Sequence, residues 1–164
     1  MAESQENKEE NSTEEYQKLI QSRFWESKSL SEMTQSEWES ICDGCGKCCF
    51  LKYSEGHFKR KKTYFTRLAC NYLDLQNCCC SVYKNRFDFQ KACIRLTNKN
   101  LSKFKWLPST CSYRYFLKNK KLPPFHPLLN GGSKDKVPKI ENPLHERQAN
   151  IEERGLMEYV FEIE

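Results

Sequence analysis

Four cysteines fall within eight positions of the stretch CDGCGKCCF: Cys42, Cys45, Cys48 and Cys49. C-x-x-C recurs in metal knuckles because two thiolates separated by a tight turn can point at one ion, with Zn–S near ~2.3 Å and backbone amides of the turn facing the sulfurs. Gly44 and Gly46 fit, since glycine permits the positive φ that such turns use. Cys42, Cys45 and Cys48 repeat the spacing twice. The doublet Cys48-Cys49 is different. In extended chain, neighbouring side chains point to opposite faces, so the two are not expected to be simple terminal ligands of one tetrahedral ion. The doublet lets one segment serve two metal positions, or serve one while Cys49 braces or bridges another.

Six further cysteines bring the total to ten: Cys70, Cys78, Cys79, Cys80, Cys93 and Cys111. The start, MAESQENKEENSTEE, has no apolar stretch behind a basic end and no small-residue cleavage site, so the expected compartment is the cytoplasm, where thiols stay reduced. Metal binding therefore leads over disulfides. Buried free cysteines acting as small hydrophobes would account for one or two of the ten, not for four in eight positions. A closed thiolate site contributes ~10–16 kcal/mol to folding, more than the usual net stability of a domain. Distant ligands would pin the middle of the chain to the knuckle.

The elements that must position these thiols are short. The 164 residues predict one domain from residue 12 onward, with 38% hydrophobic residues for its core, behind a disordered acidic tail over 1–11. Ser12 and Glu15 form a capping-box pattern ahead of Tyr16, Leu19, Ile20 and Phe24 at helical spacing, for a helix ending near Lys28. Thr34 with Glu37 opens a second helix through Trp38 and Ile41, so the knuckle hangs from a helix end. Lys52 to Lys62 reads as a loop, and Thr63 to Ala69 as a strand. Cys78 to Cys93 reads as irregular, and Thr97 to Phe104 as a helical turn. Pro108 starts a helix through STCSYRYFLKN with Cys111, Tyr115 and Phe116 facing inward. Leu156 to Ile163 is a strand or the last turns of a helix. Trp25, Trp38 and Trp106 are core anchors.

Taken in order, CDGCGKCC, Cys70 in LACNYLDL, Cys80-Ser-Val-Tyr83 with Arg86 and Cys93, KWLPSTCSYR and LPPFHPLL with the Gly-Ser after it resemble the bacterial YcgN family of cysteine-cluster proteins. That family is a branch of the wider CxxCxxCC group, described as zinc- or iron-chelating domains. The resemblance covers Phe24 to Ser133 and implies a metal-binding protein, while the family's biological role is unknown. Carried over residue by residue, Cys42, Cys45, Cys48, Cys49, Cys70, Cys80 and Cys93 match the wider pattern, and Cys78 and Cys111 match the narrower family. Cys79 has no counterpart and is not expected to be a ligand. The sequence departs from the family at Lys91-Ala92, at an extra Gly132, in the acidic tail and in the C-terminus, which bears on where the domain ends and not on the cysteines. The expectation is a small α+β protein, mostly helical and irregular, stabilised by cysteine-bound metal.

Tyr83 and Arg86 lie three and six residues past Cys80, where an arginine can donate hydrogen bonds to thiolates and balance their charge; a plain surface or core role is equally open. His126, between prolines in PFHP, reads as structural because the thiols already suffice as ligands. His57 and His145 carry no assignment. Net charge is +5; residues 1–15 hold six Glu and one Lys, so the other 149 carry +10. Eight thiolates on two Zn²⁺ would lower that to about +6. KRKK at 59–62 and KNKK at 118–121 fit an anionic partner or a solvated lysine face. No run approaches the ~18 apolar residues of a membrane helix, so no membrane partner is expected. No G-x-S-x-G, phosphate loop, HExxH or dinucleotide fingerprint occurs, and enzyme activity is not indicated, though an open cysteine site holding a catalytic zinc or a redox cluster stays open.

The leading reading is thus a cytoplasmic zinc-binding protein with a binding or accessory task, with an unidentified protein as one class of partner. The first alternative places iron or an iron–sulfur cluster on the same thiolates, since C-x-x-C-x-x-C resembles the ferredoxin run, although ferredoxins lack the adjacent Cys49 and continue to a distant Cys-Pro absent here. The second is a zinc-stabilised nucleic-acid binder, ranked below both for lack of a recognition module.

Overall fold

The computed structural model describes residues 14–55 and 62–163. The acidic tail, the Ser12 cap, His57 and residues 59–61 of the KRKK run lie outside the described residues. In chain order the elements are a helix over residues 14–22 (α1), α2 (Phe24–Ser27), α3 (Gln35–Ser40), β1 (Phe50–Glu55), β2 (Lys62–Ala69), β3 (Leu73–Asp74), β4 (Cys79–Cys80), α4 (Arg86–Phe89), α5 (Ser112–Asn119), β5 (Leu144–His145), α6 (Ile151–Arg154) and β6 (Val160–Ile163), joined by short 3₁₀ turns. The content is mixed α+β, with small sheets and short helices. Two compact units form: residues up to Asp43 with Thr110–Pro138, and Gly44–Ser109 with Lys139–Glu164.

In the first unit, the expected helix to Lys28 is interrupted at Arg23, whose φ of 46° is left-handed and separates α1 from α2. The Thr34–Glu37 capping box is present: Thr34 Oγ1 accepts from Glu37 N at 3.3 Å and Glu37 accepts from Thr34 N at 2.8 Å. Glu37 also takes Lys28 Nζ at 2.7 Å. α5 begins at Ser112, four residues later than Pro108 predicts, because Cys111 is still extended at ψ 123°. Trp38 and Tyr113 pack with ring centroids 4.6 Å apart, and the Tyr113 hydroxyl donates to Trp38 O at 3.0 Å. Trp25 and Trp38 are buried, as core anchors should be. Gly132, with φ 94°, has no Cβ where one would meet the Tyr16 ring at 3.4 Å, so the glycine that departs from the family pattern admits that ring.

The second unit is built around β2. β1 runs antiparallel along one edge of β2, while the other edge takes β6 antiparallel near Tyr64 and β5 parallel at Leu68 and Ala69. Flanked on both edges, β2 buries Phe65, Thr66, Leu68 and Ala69. Strand β1 replaces the first part of the expected loop at Lys52, since Phe50 to Glu55 gain a ladder partner in β2 that local composition does not reveal. Leu156 to Ile163 divides into a 3₁₀ turn and then β6. The β1–β2 register shifts between Phe50 and Lys52, and the β2–β6 register shifts between Phe65 and Thr66. Thr66, 0% exposed, bonds at the first of these irregularities: its hydroxyl donates to Leu51 O at 2.9 Å and accepts from Leu68 N within β2 at 3.2 Å. Thr66→Val keeps the shape and deletes both bonds in a site without water access. It is expected to cost about 1–3 kcal/mol in urea unfolding; an unchanged midpoint would show that the hydroxyl does not hold the bulge.

Candidate metal centre

Gly44 and Gly46 take φ of 73° and 72°, the left-handed values expected of the knuckle. Gly46 caps a 3₁₀ turn, Lys47–Cys49, closed by Cys49 N on Gly46 O at 2.8 Å. This turn corrects the extended-chain reading of the doublet. In a 3₁₀ helix successive side chains are about 120° apart rather than opposed, and the Cys48 and Cys49 Sγ atoms stand 4.0 Å apart. β1 starts directly after the turn, and Cys70 N, at the end of β2, donates to Cys49 O at 2.8 Å.

Three more cysteines come from the β3–β4 hairpin. Asp74 shapes its loop by accepting from Gln76 N at 2.8 Å and Asn77 N at 3.1 Å, while Asn77 Nδ2 donates to its second oxygen. These bonds, the side-chain one first, hold the Asp74 carboxyl below its usual range. The loop returns through Cys78, whose φ of 54° is left-handed, a conformation that costs a non-glycine residue about 1–2 kcal/mol. In the ladder, Cys80 faces Leu73 and Cys79 faces Asp74; Cys79 is exposed and Cys80 half-buried. Adjacent strand positions alternate between faces, which separates these two thiols.

The electrostatics show which thiols share a neighbourhood. Cys49 packs on the small core of Phe50, Ala69, Leu73 and Ile140. Its thiol is pushed far up, first by its bond to Cys48, then by burial, then by the charges of Cys48, Cys70 and Cys80. Cys93 is raised by burial and by Cys80 and Cys48, against the Arg86 guanidinium, which lowers it. Cys48, Cys70 and Cys80 thus neighbour Cys49, and Cys80 and Cys48 neighbour Cys93. Among the described residues no three His, Cys, Asp or Glu side chains close around an ion position. Cys78 lies beside Gly46. Cys45 follows Gly44 and is half-buried; Cys42 and Cys111 fall in the first unit, the former exposed and the latter buried as the N-cap of α5.

Arg86 Nη1 donates to Tyr83 O at 2.6 Å, and its guanidinium sits 4.1 Å from the Tyr83 ring centroid. Lys52 is the residue that sequence reasoning missed. Its ammonium donates to the carbonyls of Phe50 and of Cys48, the latter at 2.9 Å, and lies 4.6 Å from the Trp106 ring centroid. Burial lowers its pKa, opposed by the charges of Cys48 and Cys49. It follows the register shift of β1 on β2, which local composition does not mark. Trp106 is correspondingly half-buried beneath this lysine and is not the core anchor expected.

His126 is fully committed. Its Nδ1 accepts from Leu128 N at 3.1 Å, which leaves the proton on Nε2, 3.1 Å from Ile41 O. His145, without an assigned part in sequence, places Nε2 2.9 Å from Leu73 O and so ties β5 to the base of the cysteine hairpin.

The chain is similar to a UPF0260 protein of Haemophilus influenzae, 50% identical over 131 residues that cover 78% of this chain and 87% of that one. A UPF0260 protein of Pasteurella multocida is 54% identical over 112 residues, 68% of this chain and 76% of the relative. The UPF0260 protein YcgN of Escherichia coli is 49% identical over 108 residues, covering 66% and 69%. No family model matches the chain, and no solved structure matches it.

Burial lowers the His126 pKa below its ordinary value of 6.5. The unfolded chain then binds the extra proton first, so the stability that neutral His126 contributes is complete above about pH 6.5 and is lost as pH falls through that value toward the folded pKa. His126→Gln should melt lower than the wild type at pH 7, and the gap should narrow at pH 5. A gap independent of pH would contradict a neutral, buried imidazole.

Proposed function

The chain belongs to the UPF0260 family, and we propose that it is a metal-binding protein whose clustered thiols hold zinc. The observation that carries the reading is the crowding of thiols at the knuckle: Cys48 and Cys49 Sγ stand 4.0 Å apart, and Cys48, Cys70 and Cys80 raise the Cys49 pKa while Cys80 and Cys48 raise that of Cys93. With their pKa raised, Cys49 and Cys93 become thiolate near neutral pH only with added positive charge, and a divalent ion supplies it. The 4.0 Å between Cys48 and Cys49 Sγ is close to the ~3.8 Å edge of a sulfur tetrahedron around zinc. In this reading the two sulfurs share one ion, and Cys70, Cys80 and Cys93 are the nearest further donors. Completing a site requires side-chain rotation about a backbone already in place. Lys52 and Arg86 would moderate the residual negative charge of a thiolate-rich centre.

Iron is the competing ion, because the Cys42, Cys45, Cys48 spacing also suits a cluster. Metal analysis with an absorption spectrum, on protein purified without oxygen or chelators, separates the two. Colourless protein with about two zinc ions, four thiolates to each, is the expected result. Brown protein with iron and acid-labile sulfide would replace zinc with a cluster, and metal-free protein with an undiminished melting temperature would end the metal reading. Cys45→Ser is expected to cost several kcal/mol more than Cys79→Ser, because a hydroxyl does not replace a thiolate on the ion. Equal melting temperatures for the two variants would remove Cys45 from the ligand set.

A further inference from the structure

Next to the thiols, within the second unit, lies a surface of exposed rings and guanidinium groups, of which Arg86 also lies beside Cys93. Tyr83, Arg86, Phe87 and Arg95 stack in alternation: the Arg86 guanidinium lies 4.1 Å from the Tyr83 ring centroid and 4.7 Å from that of Phe87, and Arg95 lies 5.4 Å from Phe87. The rings remain open to solvent, Tyr83 by 49% and Phe87 by 36%, and Phe89, 5.5 Å from the Tyr72 ring, is 53% exposed. Three exposed rings within seven residues exceed the scattered apolar exposure that an ordinary surface carries. Arg86 is also held in place by its bond to Tyr83 O, so the stack is ordered in advance of any partner.

The charge of the same stretch narrows the partner. Residues 82–105 hold seven Lys and Arg against one acidic residue, Asp88, a surplus larger than the +5 of the whole chain. An apolar peptide has no use for that surplus, and an acidic peptide has little use for three open rings. A nucleic-acid duplex offers charge but hides its base faces. A single strand offers both: its bases stack on aromatic rings and guanidinium planes, and its phosphates meet the cations.

We propose that residues 83–95 form a binding surface for single-stranded nucleic acid, distinct from the lysine runs at 59–62 and 118–121. The surface stands on its own observations and does not depend on which metal the thiols hold.

The test is fluorescence anisotropy of labelled oligouridine and oligothymidine titrated with the full chain as purified, at several salt concentrations. The wild type should bind single strands and fail to prefer the matching duplex. Phe87→Ala should weaken binding roughly five- to hundredfold, the range of one lost stacking contact. Arg95→Gln should flatten the salt slope by about 0.7, the value for one phosphate on a single strand. Lys118→Gln with Lys121→Gln should leave affinity within twofold. Melting temperatures establish that each variant folds, and Phe89→Ala, at the most exposed ring, replaces Phe87→Ala should that variant melt early. The proposal is overturned by absence of binding at low salt, by unchanged affinity in the aromatic variants, or by loss of binding in the lysine pair instead. Competition by polyglutamate as strong as that by the oligonucleotide would also overturn it and point to an acidic protein.

Discussion

At Gly46 the backbone is left-handed, and a Cβ there would stand 3.3 Å from the Cys78 Cβ and 3.6 Å from the Leu73 side chain. Conformation and space together admit only glycine without a shift of the hairpin. The consequences run outward from this close approach. The knuckle lies against the β3–β4 hairpin, so the doublet and the hairpin cysteines share one neighbourhood. Leu73, which receives the turn, belongs to the core with Phe50, Ala69 and Ile140, so the starts of β1 and β3 and the end of β2 are packed on one another. The 3₁₀ turn that follows Gly46 sets the angle between Cys48 and Cys49.

The resulting thiol group is electrostatically frustrated as it stands. Cys49 is half-buried on an apolar core and surrounded by other thiols, each of which makes its ionisation harder. Two cations are built in beside it, and each is secured by carbonyls rather than by a carboxylate: Lys52 by Cys48 and Phe50, and Arg86 by Tyr83. A carboxylate would cancel the cation, whereas a carbonyl leaves its charge available to the sulfurs. Burying the Lys52 ammonium is unfavourable, and its two hydrogen bonds with the Trp106 face offset that.

The first unit follows a different logic. Its polar groups are satisfied in the interior: the Asp43 carboxylate accepts from Ser112 Oγ at 2.6 Å, and His126 spans Ile41 O and Leu128 N. Ile41 and Asp43 flank Cys42, so the chain is anchored on either side of that exposed thiol just before it enters the second unit. Buried, fully bonded groups of this kind fix the position of a segment, because any shift leaves a polar atom without a partner.

Much of this was legible where the controlling physics is local. The Thr34–Glu37 box, the positive φ of Gly44 and Gly46, the β-branched and aromatic run of β2 and the structural part of His126 follow from residues a few positions apart. The family resemblance was legible in the cysteine order together with motifs such as KWLPSTCSYR and LPPFHPLL. What only the tertiary structure decided depends on pairing between distant segments. β1 exists because β2 is there to pair with it, and Lys52 lies at the register shift between them. The 3₁₀ turn after Gly46 set the doublet's two sulfurs side by side, where an extended chain would have parted them. Arg86 was found by its distance from Cys80, yet its place between two exposed rings was not, since exposure is what the rest of the fold leaves uncovered. Local spacing thus specified which atoms are present, and register and packing determined which of them meet.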